Sequence, residues 1–101
     1  MPDDLLRGAQ DDIDLGDDHR IVFTSFDGEK RVGGTIIHRR PDGSDCSGFV
    51  AFTGRAWAKA FNGQIITWEM VKDEPVTLSP SILCRVCGDH GFVREGKWVR
   101  A

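Results

Sequence analysis

The amino-acid sequence predicts a mainly β protein, built as a small antiparallel sheet, sandwich or ribbon with one short helical turn near residues 55–61. Segments rich in β-branched and aromatic residues recur along the chain, and turn signals separate them about every eight to twelve residues. A length of 101 residues fits one domain. A domain this small has a modest core and gains from a metal or a disulfide.

The N-terminal segment differs in charge from the rest of the chain. Residues 1–18 hold seven aspartates and one arginine, a net charge of −6, whereas the remaining 83 residues carry a net charge of +3. We therefore expect a flexible acidic leader over residues 1–18 and a single β-rich domain over residues 19–101. The leader could also be an arm that docks on a basic surface. His19, beside the leader, is expected to be exposed.

A hairpin is predicted to open the β-rich domain. Residues 20–26 have strand composition, Asp27-Gly28 is a hairpin turn signal, and residues 30–39 form the returning strand. Gly33 and Gly34 in the second strand predict a β-bulge.

The central part of the chain combines a strand with the helical turn. Pro41-Asp42-Gly43 predicts a turn, because Pro presets φ and Gly accepts a positive φ. Residues 48–53 are expected to form a strand. Trp57 and Phe61 are spaced to lie on one helical face within residues 55–61.

Further strands are predicted toward the C-terminus. Residues 64–71 have strand composition, and residues 76–86 are expected to be extended. Pro80 interrupts the second segment and places it at an edge or a bend. Residues 91–99 predict a closing hairpin.

The segment Cys84-Arg-Val-Cys87-Gly88-Asp-His90 carries the strongest chemical signal. Two thiolates separated by two residues can bind one ion, and a following Gly permits the tight turn of a zinc knuckle. His90 is close enough in sequence to be a third ligand. The motif predicts a Zn²⁺ site that stabilises the β domain.

Tetrahedral zinc requires a fourth ligand, and the sequence leaves two candidates. Cys46 is favoured because it is the remaining cysteine and lies beside a predicted turn, and His38 is the alternative. The cysteines could instead be small buried side chains, a redox pair or partners in a disulfide. The predicted ligand set is Cys46, Cys84, Cys87 and His90.

The motif pattern favours a structural metal over a catalytic one. Neither a His-x-Glu with Pro-Cys-x-x-Cys nor a His-Glu-x-x-His pattern occurs. Asp89 is interpreted as a turn residue that bonds its own backbone. A small metal-dependent or thiol-dependent enzyme remains the first alternative. A nucleic-acid-binding accessory protein is the second, because basic residues and three tryptophans are available for phosphate contact and base stacking.

The C-terminal part of the chain, about residues 64–101, resembles an uncharacterised family of small bacteriophage and prophage proteins. The resemblance is carried by Trp68, Glu74-Pro75, Leu78-Ser-Pro-Ser-Ile82, Cys87-Gly-Asp-His90-Gly-Phe-Val93 and Gly96-Lys-Trp98. This chain has one upstream cysteine, Cys46, where the family has several. The resemblance implies a phage setting and a bound metal, and it implies no reaction.

Together these observations predict a non-enzymatic, zinc-stabilised module of phage origin that binds a phage or host protein. Neither a signal peptide nor an apolar stretch of about 18 residues is evident. We therefore expect the protein in the host cytoplasm or associated with the virion, without a membrane contact. The oligomeric state does not follow from the sequence.

Overall fold

The computed structural model describes residues 11–62 and 64–101. Their secondary structure consists of strands β1 to β9 and a helix, α1, between β4 and β5. The bounds are β1 Asp12–Gly16, β2 His19–Phe26, β3 Glu29–Arg39, β4 Asp45–Phe52, α1 Ala56–Ala60, β5 Thr67–Asp73, β6 Val76–Ser79, β7 Ile82–Leu83, β8 His90–Arg94 and β9 Lys97–Arg100. The predictions of a mainly β fold and of a short helix near residues 55–61 are confirmed.

The strands form two sheets. A six-stranded sheet has the order β1-β2-β3-β4-β5-β6, and a three-stranded sheet has the order β7-β8-β9. All neighbours are antiparallel except β4 and β5, which run parallel over Ala51 and Phe52 of β4. The chain between them, including α1, loops out and returns to the end of β4. β5 therefore begins beside Ala51 and Phe52 and runs on in the same direction as β4. Within the described residues, no helix has the length and apolar character that a bilayer crossing requires.

The structure differs from the prediction of a leader over residues 1–18. Residues 12–16 form β1, which pairs with β2, and the Leu15 side chain is only 1% exposed in the core. Asp17 and Asp18 adopt positive φ and make the turn between these strands, a conformation that Asp tolerates better than most residues. The fold therefore begins before residue 19. Residues 1–10 of the predicted leader lie outside the described residues.

The predicted bulge lies directly before Gly33 and Gly34 and not at these two glycines. Both glycines keep regular register with β2 and β4, and the register shifts where Ser25 of β2 faces residues 30–32 of β3. A Cβ at Gly33 would lie 2.3 Å from Trp57 Cε3 and 2.5 Å from the Val50 carbonyl oxygen. The missing side chain therefore lets α1 pack directly onto the sheet.

One hydrophobic core joins the two sheets. The chain leaves the larger sheet at Pro80 and enters the smaller one at Ile82, as the predicted interruption indicates. Side chains from both sheets then meet in a single cluster, whose buried members are Leu15, Ile21, Phe23, Ile36, Val50, Phe52, Val76, Leu78, Ile82, Val93 and Trp98. The smaller sheet is thereby held against the inner face of the larger one, and this places the turn between β7 and β8 over the ends of β2 to β4.

Candidate metal centre

Three neighbouring strands each contribute one side chain to a row across the sheet. His19 on β2 is the register partner of His38 on β3, and His38 is the register partner of Cys46 on β4. Directly opposed residues point to the same face, so the three side chains lie side by side. All three are at most 5% exposed. The expectation that His19 is a surface residue is therefore wrong.

A tight turn between β7 and β8, the cysteine turn (residues 84–89), supplies two further thiols. The Cys84 amide donates to the Asp89 carbonyl at 2.7 Å, and the Gly88 amide donates to the Cys84 carbonyl at 2.8 Å. Gly88 has a φ of +81°, which a residue without a Cβ adopts at little cost. These bonds close the turn and hold Cys84 and Cys87 on the same side of it.

The row and the turn meet in one cluster of four donor atoms, here called the donor cluster. Cys46 Sγ lies 3.4 Å from Cys84 Sγ, and His38 Nε2 lies 3.0 Å from Cys87 Sγ. All four atoms lie within 4.8 Å of one another, close enough to hold a metal ion: His38, Cys46, Cys84 and Cys87. Two thiolates on one tetrahedral zinc at about 2.3 Å lie roughly 3.8 Å apart, so these spacings need only small adjustments.

His90, which the sequence predicted as a ligand, is not in the donor cluster. It begins β8 and is the register partner of Leu83, and both side chains are exposed. Its Nε2 lies 2.8 Å from Ser81 Oγ. Pairing with β7 therefore turns His90 away from the cysteines, and His38, the predicted alternative, occupies the fourth place.

All three cysteines are free thiols. The structure therefore contains no disulfide between these cysteines, although the sulfur atoms of Cys46 and Cys84 are in contact. Burial opposes ionisation of Cys84, but hydrogen bonds from the backbone of Cys87 and Val86 outweigh it, so the pKa of the Cys84 thiol is lowered. The Asp89 amide favours the Cys87 thiolate, but burial and the neighbouring thiols raise the pKa of Cys87. Of the two turn cysteines, Cys84 is thus the one whose thiolate form is favoured.

Two basic side chains complete the electrostatics of the donor cluster. Burial lowers the pKa of His38, which favours the neutral imidazole that a metal ligand requires. Arg40 Nη2 donates to Cys46 Sγ at 3.4 Å. That hydrogen bond, together with the charge of the thiolate, raises the pKa of Arg40. A guanidinium in this position offsets part of the negative charge that three thiolates bring together.

A second layer of polar contacts surrounds His38. The His19 ring stacks on both His38 and Trp98, with centroid distances of 5.1 and 4.1 Å. His19 Nε2 is 2.6 Å from Asp89 Oδ2, and its Nδ1 faces the Asp17 carbonyl. Donor atoms of His19, His38 and Asp89 lie within 4.8 Å of one another. Asp89 is therefore more than a turn residue, since it ties the cysteine turn to β2.

The fold and the donor cluster together define a small, mainly β protein with a candidate Cys₃His metal centre. No protein-family model, curated protein or solved structure matches the chain.

Proposed function

We propose that this chain is a β module held together by a structural zinc ion and that it acts by binding a protein partner. The observation that carries the proposal is the donor cluster, which gathers ligands from β3, β4 and the cysteine turn. A metal bound there joins the smaller sheet to the larger one. This link adds stability to a domain whose small core provides little of it.

The composition of the donor cluster supports zinc as the metal. Thiolate and imidazole ligands suit Zn²⁺, whereas magnesium and calcium prefer oxygen ligands. Three thiolates and one neutral imidazole around Zn²⁺ leave one net negative charge, and the nearby Arg40 guanidinium compensates it. His19 and Asp89 supply the outer contacts that orient ligands in such sites.

The donor count supports a structural role over a catalytic one. Four protein ligands complete a tetrahedral shell, whereas a catalytic zinc keeps one position for water or substrate. The enzyme alternative requires that one of the four be displaced. The exposed Cys87 is the ligand at which such displacement would be sought.

The charge around the donor cluster does not favour nucleic acid. A groove of about 740 Å³ along the ends of β1 to β4 is lined by five aspartates and two arginines, namely Asp12, Asp14, Asp17, Asp18, Asp45, Arg20 and Arg39. A phosphate backbone would be repelled by this surface. Exposed apolar side chains elsewhere, such as Phe49 at 74% and Ile66 at 63% exposure, support contact with a protein. The resemblance to small phage proteins suggests a partner in the virion or in the host cell.

Elemental analysis of protein produced without added metal tests the proposal. We expect about one zinc per chain, and a chelator that strips the zinc should lower the melting temperature and broaden the transition. The structural zinc would be refuted by a protein that carries no metal as isolated, melts cooperatively and has the same melting temperature with and without the chelator.

A further inference from the structure

The donor cluster contains two sulfur atoms that touch each other although they come from distant parts of the chain. Cys46 Sγ on β4 and Cys84 Sγ in the cysteine turn lie 3.4 Å apart, and the two residues are 38 positions apart in sequence. A disulfide bond is about 2.05 Å long, so the two sulfurs need to approach each other by only about 1.4 Å to form one. The pair is therefore placed to join β4 to the cysteine turn by a covalent bond.

The third thiol of the donor cluster has a different closest partner. Cys87 Sγ lies 3.0 Å from His38 Nε2, and Cys87 is the exposed cysteine of the three. All three sulfurs lie within 4.8 Å of one another, but the contact at 3.4 Å is the one between Cys46 and Cys84. A bond between these two would leave Cys87 as a single thiol at the surface.

A small slot leads to the Cys84 side of the pair. It has a volume of about 50 Å³, and its lining includes Cys84, Gly48, Phe49 and Leu83. Phe49 and Leu83 are 74% and 53% exposed, so the slot reaches the surface of the protein. A water molecule needs about 10–15 Å³, so hydrogen peroxide fits the slot, whereas a bulky organic hydroperoxide is too large.

Cys46 is shielded from an oxidant in solution but is well placed to react with Cys84. Cys46 is 4% exposed, whereas Cys84 is half-buried. Arg40 Nη2 donates to Cys46 Sγ at 3.4 Å and so places a positive charge beside that sulfur. A thiolate that attacks a neighbouring oxidised sulfur carries negative charge, which such a cation offsets. The two cysteines are thus suited to different steps, Cys84 to meet peroxide and Cys46 to close the disulfide.

From these observations we propose that Cys46 and Cys84 are an oxidation site for hydrogen peroxide, which converts them into a reversible disulfide and expels the metal. The Cys84 thiolate attacks one peroxide oxygen, the O–O bond breaks, and a sulfenic acid and a hydroxide ion are formed. The Cys46 thiolate then attacks Cys84 Sγ and displaces a second hydroxide ion. The two thiolates lose two electrons in all, and the peroxide gains them as it becomes two hydroxide ions.

The disulfide and the metal exclude each other from the donor cluster. Oxidation removes two of the four ligands and leaves His38 and Cys87, which are too few for a tetrahedral zinc site. The new bond connects the same parts of the fold as the metal does, across 38 positions of sequence. Oxidation therefore exchanges one crosslink for another. The release of zinc rests on the proposed function, whereas the disulfide requires only the two thiols.

Treatment of the isolated protein with hydrogen peroxide, followed by a disulfide map, tests the proposal. Free thiols are blocked with a maleimide, and the denatured chain is digested with trypsin. Each cysteine then lies in a separate peptide, because trypsin cleaves after Arg55, Lys72 and Arg85. The map therefore distinguishes all three possible disulfides.

We expect one pair of linked peptides, which contain Cys46 and Cys84, and maleimide on Cys87 alone. A metal-binding dye should detect the release of about one zinc per chain during the oxidation. Dithiothreitol should restore all three thiols and the capacity to bind zinc.

Two cysteine variants separate the reacting pair from the third thiol. Cys87→Ser keeps both sulfurs of the pair and should still form the disulfide. Cys46→Ser removes the sulfur that closes it, so the Cys84 sulfenic acid should accumulate and be trapped by a 1,3-dione reagent. The natural protein should give at least about tenfold less of this adduct, because closure of the disulfide consumes the sulfenic acid. The peptide map of the natural protein does not depend on the folding of either variant.

Other products would overturn the proposal. A disulfide that includes Cys87, or oxidation of the thiols without any disulfide, contradicts the assigned pair. Zinc that stays bound to the oxidised protein contradicts the expulsion of the metal. Zinc content measured before oxidation separates this proposal from the structural zinc. Protein isolated without zinc that forms the Cys46–Cys84 disulfide contradicts only the zinc, and zinc-loaded protein that does not form this disulfide contradicts only the oxidation site.

Discussion

His38 and Cys46 are direct cross-strand partners on β3 and β4, and each contacts one cysteine of the turn between β7 and β8. His38 Nε2 lies 3.0 Å from Cys87 Sγ, and Cys46 Sγ lies 3.4 Å from Cys84 Sγ. The pair therefore connects the two sheets, and a metal bound by all four side chains would act as a crosslink between segments distant in sequence.

Replacing each of the two candidate histidines should show which one binds the metal. His38→Ala removes a donor of the cluster, and we expect zinc affinity to fall by more than about 100-fold. His90→Ala should leave the zinc content at about one per chain, because His90 contacts Ser81 and no cysteine. Competition with a metal-binding dye measures both affinities. Equal losses in the two variants would return His90 to the ligand set.

Truncation of Leu15 tests whether the acidic N-terminal region belongs to the fold. Leu15 is 1% exposed, so Leu15→Ala should destabilise the protein by about 3 kcal/mol through lost burial and a cavity. Leu83→Ala is the control, since Leu83 is 53% exposed and should cost less than about 0.5 kcal/mol. Urea denaturation gives both values. For the same reason, deleting residues 1–18 should destabilise the fold, and an unchanged midpoint would show that β1 is dispensable.

The two glycines on facing strands should respond differently to an added methyl group. Gly33→Ala brings a Cβ against the Trp57 ring and the Val50 carbonyl, and we expect a loss of about 1–3 kcal/mol. Gly48→Ala meets nothing within 4 Å and should change stability by no more than about 0.5 kcal/mol. Thermal melts of the two variants compare them directly. If Gly33→Ala had the same melting temperature as the natural protein, α1 would not pack as closely on the sheet as described.

The ion pair between Asp11, the residue before β1, and Arg31 on β3 should add a small acid-sensitive contribution to the free energy of unfolding. The hydrogen bond from Arg31 lowers the pKa of Asp11 in the folded protein, so its contribution is present above the unfolded pKa of about 3.9. That contribution disappears as the pH falls through the lower folded-state pKa. Because Asp11 is 44% exposed, Asp11→Asn should cost under about 1 kcal/mol at pH 7.

Urea midpoints of Asp11→Asn and the natural protein, compared at pH 7 and near pH 3, measure this contribution. The metal centre is common to both proteins, so the difference between them reports the ion pair. We expect the difference to shrink at the lower pH. A difference that grew on acidification would contradict the assigned pKa direction.

The β class of the protein could be predicted from local patterns in the sequence. Strand composition and turn signals act between near neighbours, so the hairpins around Asp27 and Glu95 and the short helix near Trp57 follow from residues close in the chain. The Cys84 and Cys87 pair was predictable for the same reason, because two-residue spacing and Gly88 form the turn locally.

The remaining parts of the candidate site depend on strand register, which the local sequence does not specify. His38 and Cys46 meet the cysteine turn only because β3 and β4 pair in one register and the smaller sheet packs on their inner face. A shift of one residue would send both side chains to the opposite face. His90 was the nearer histidine in sequence, yet its own pairing with Leu83 directs it outward.

The acidic N-terminal region shows the same difference between what local composition predicts and what long-range packing decides. Ile13 and Leu15 alternate with aspartates as in a half-buried strand, but the negative charge of the segment suggested a solvated tail. Charge is a property of composition, whereas burial of Leu15 depends on a core assembled from both sheets. Apart from β1, the sequence by itself indicated the strands, the turns between them and the pair of turn cysteines. Only the tertiary structure decided which side chains share the centre, because long-range packing selects among contacts that are locally equivalent.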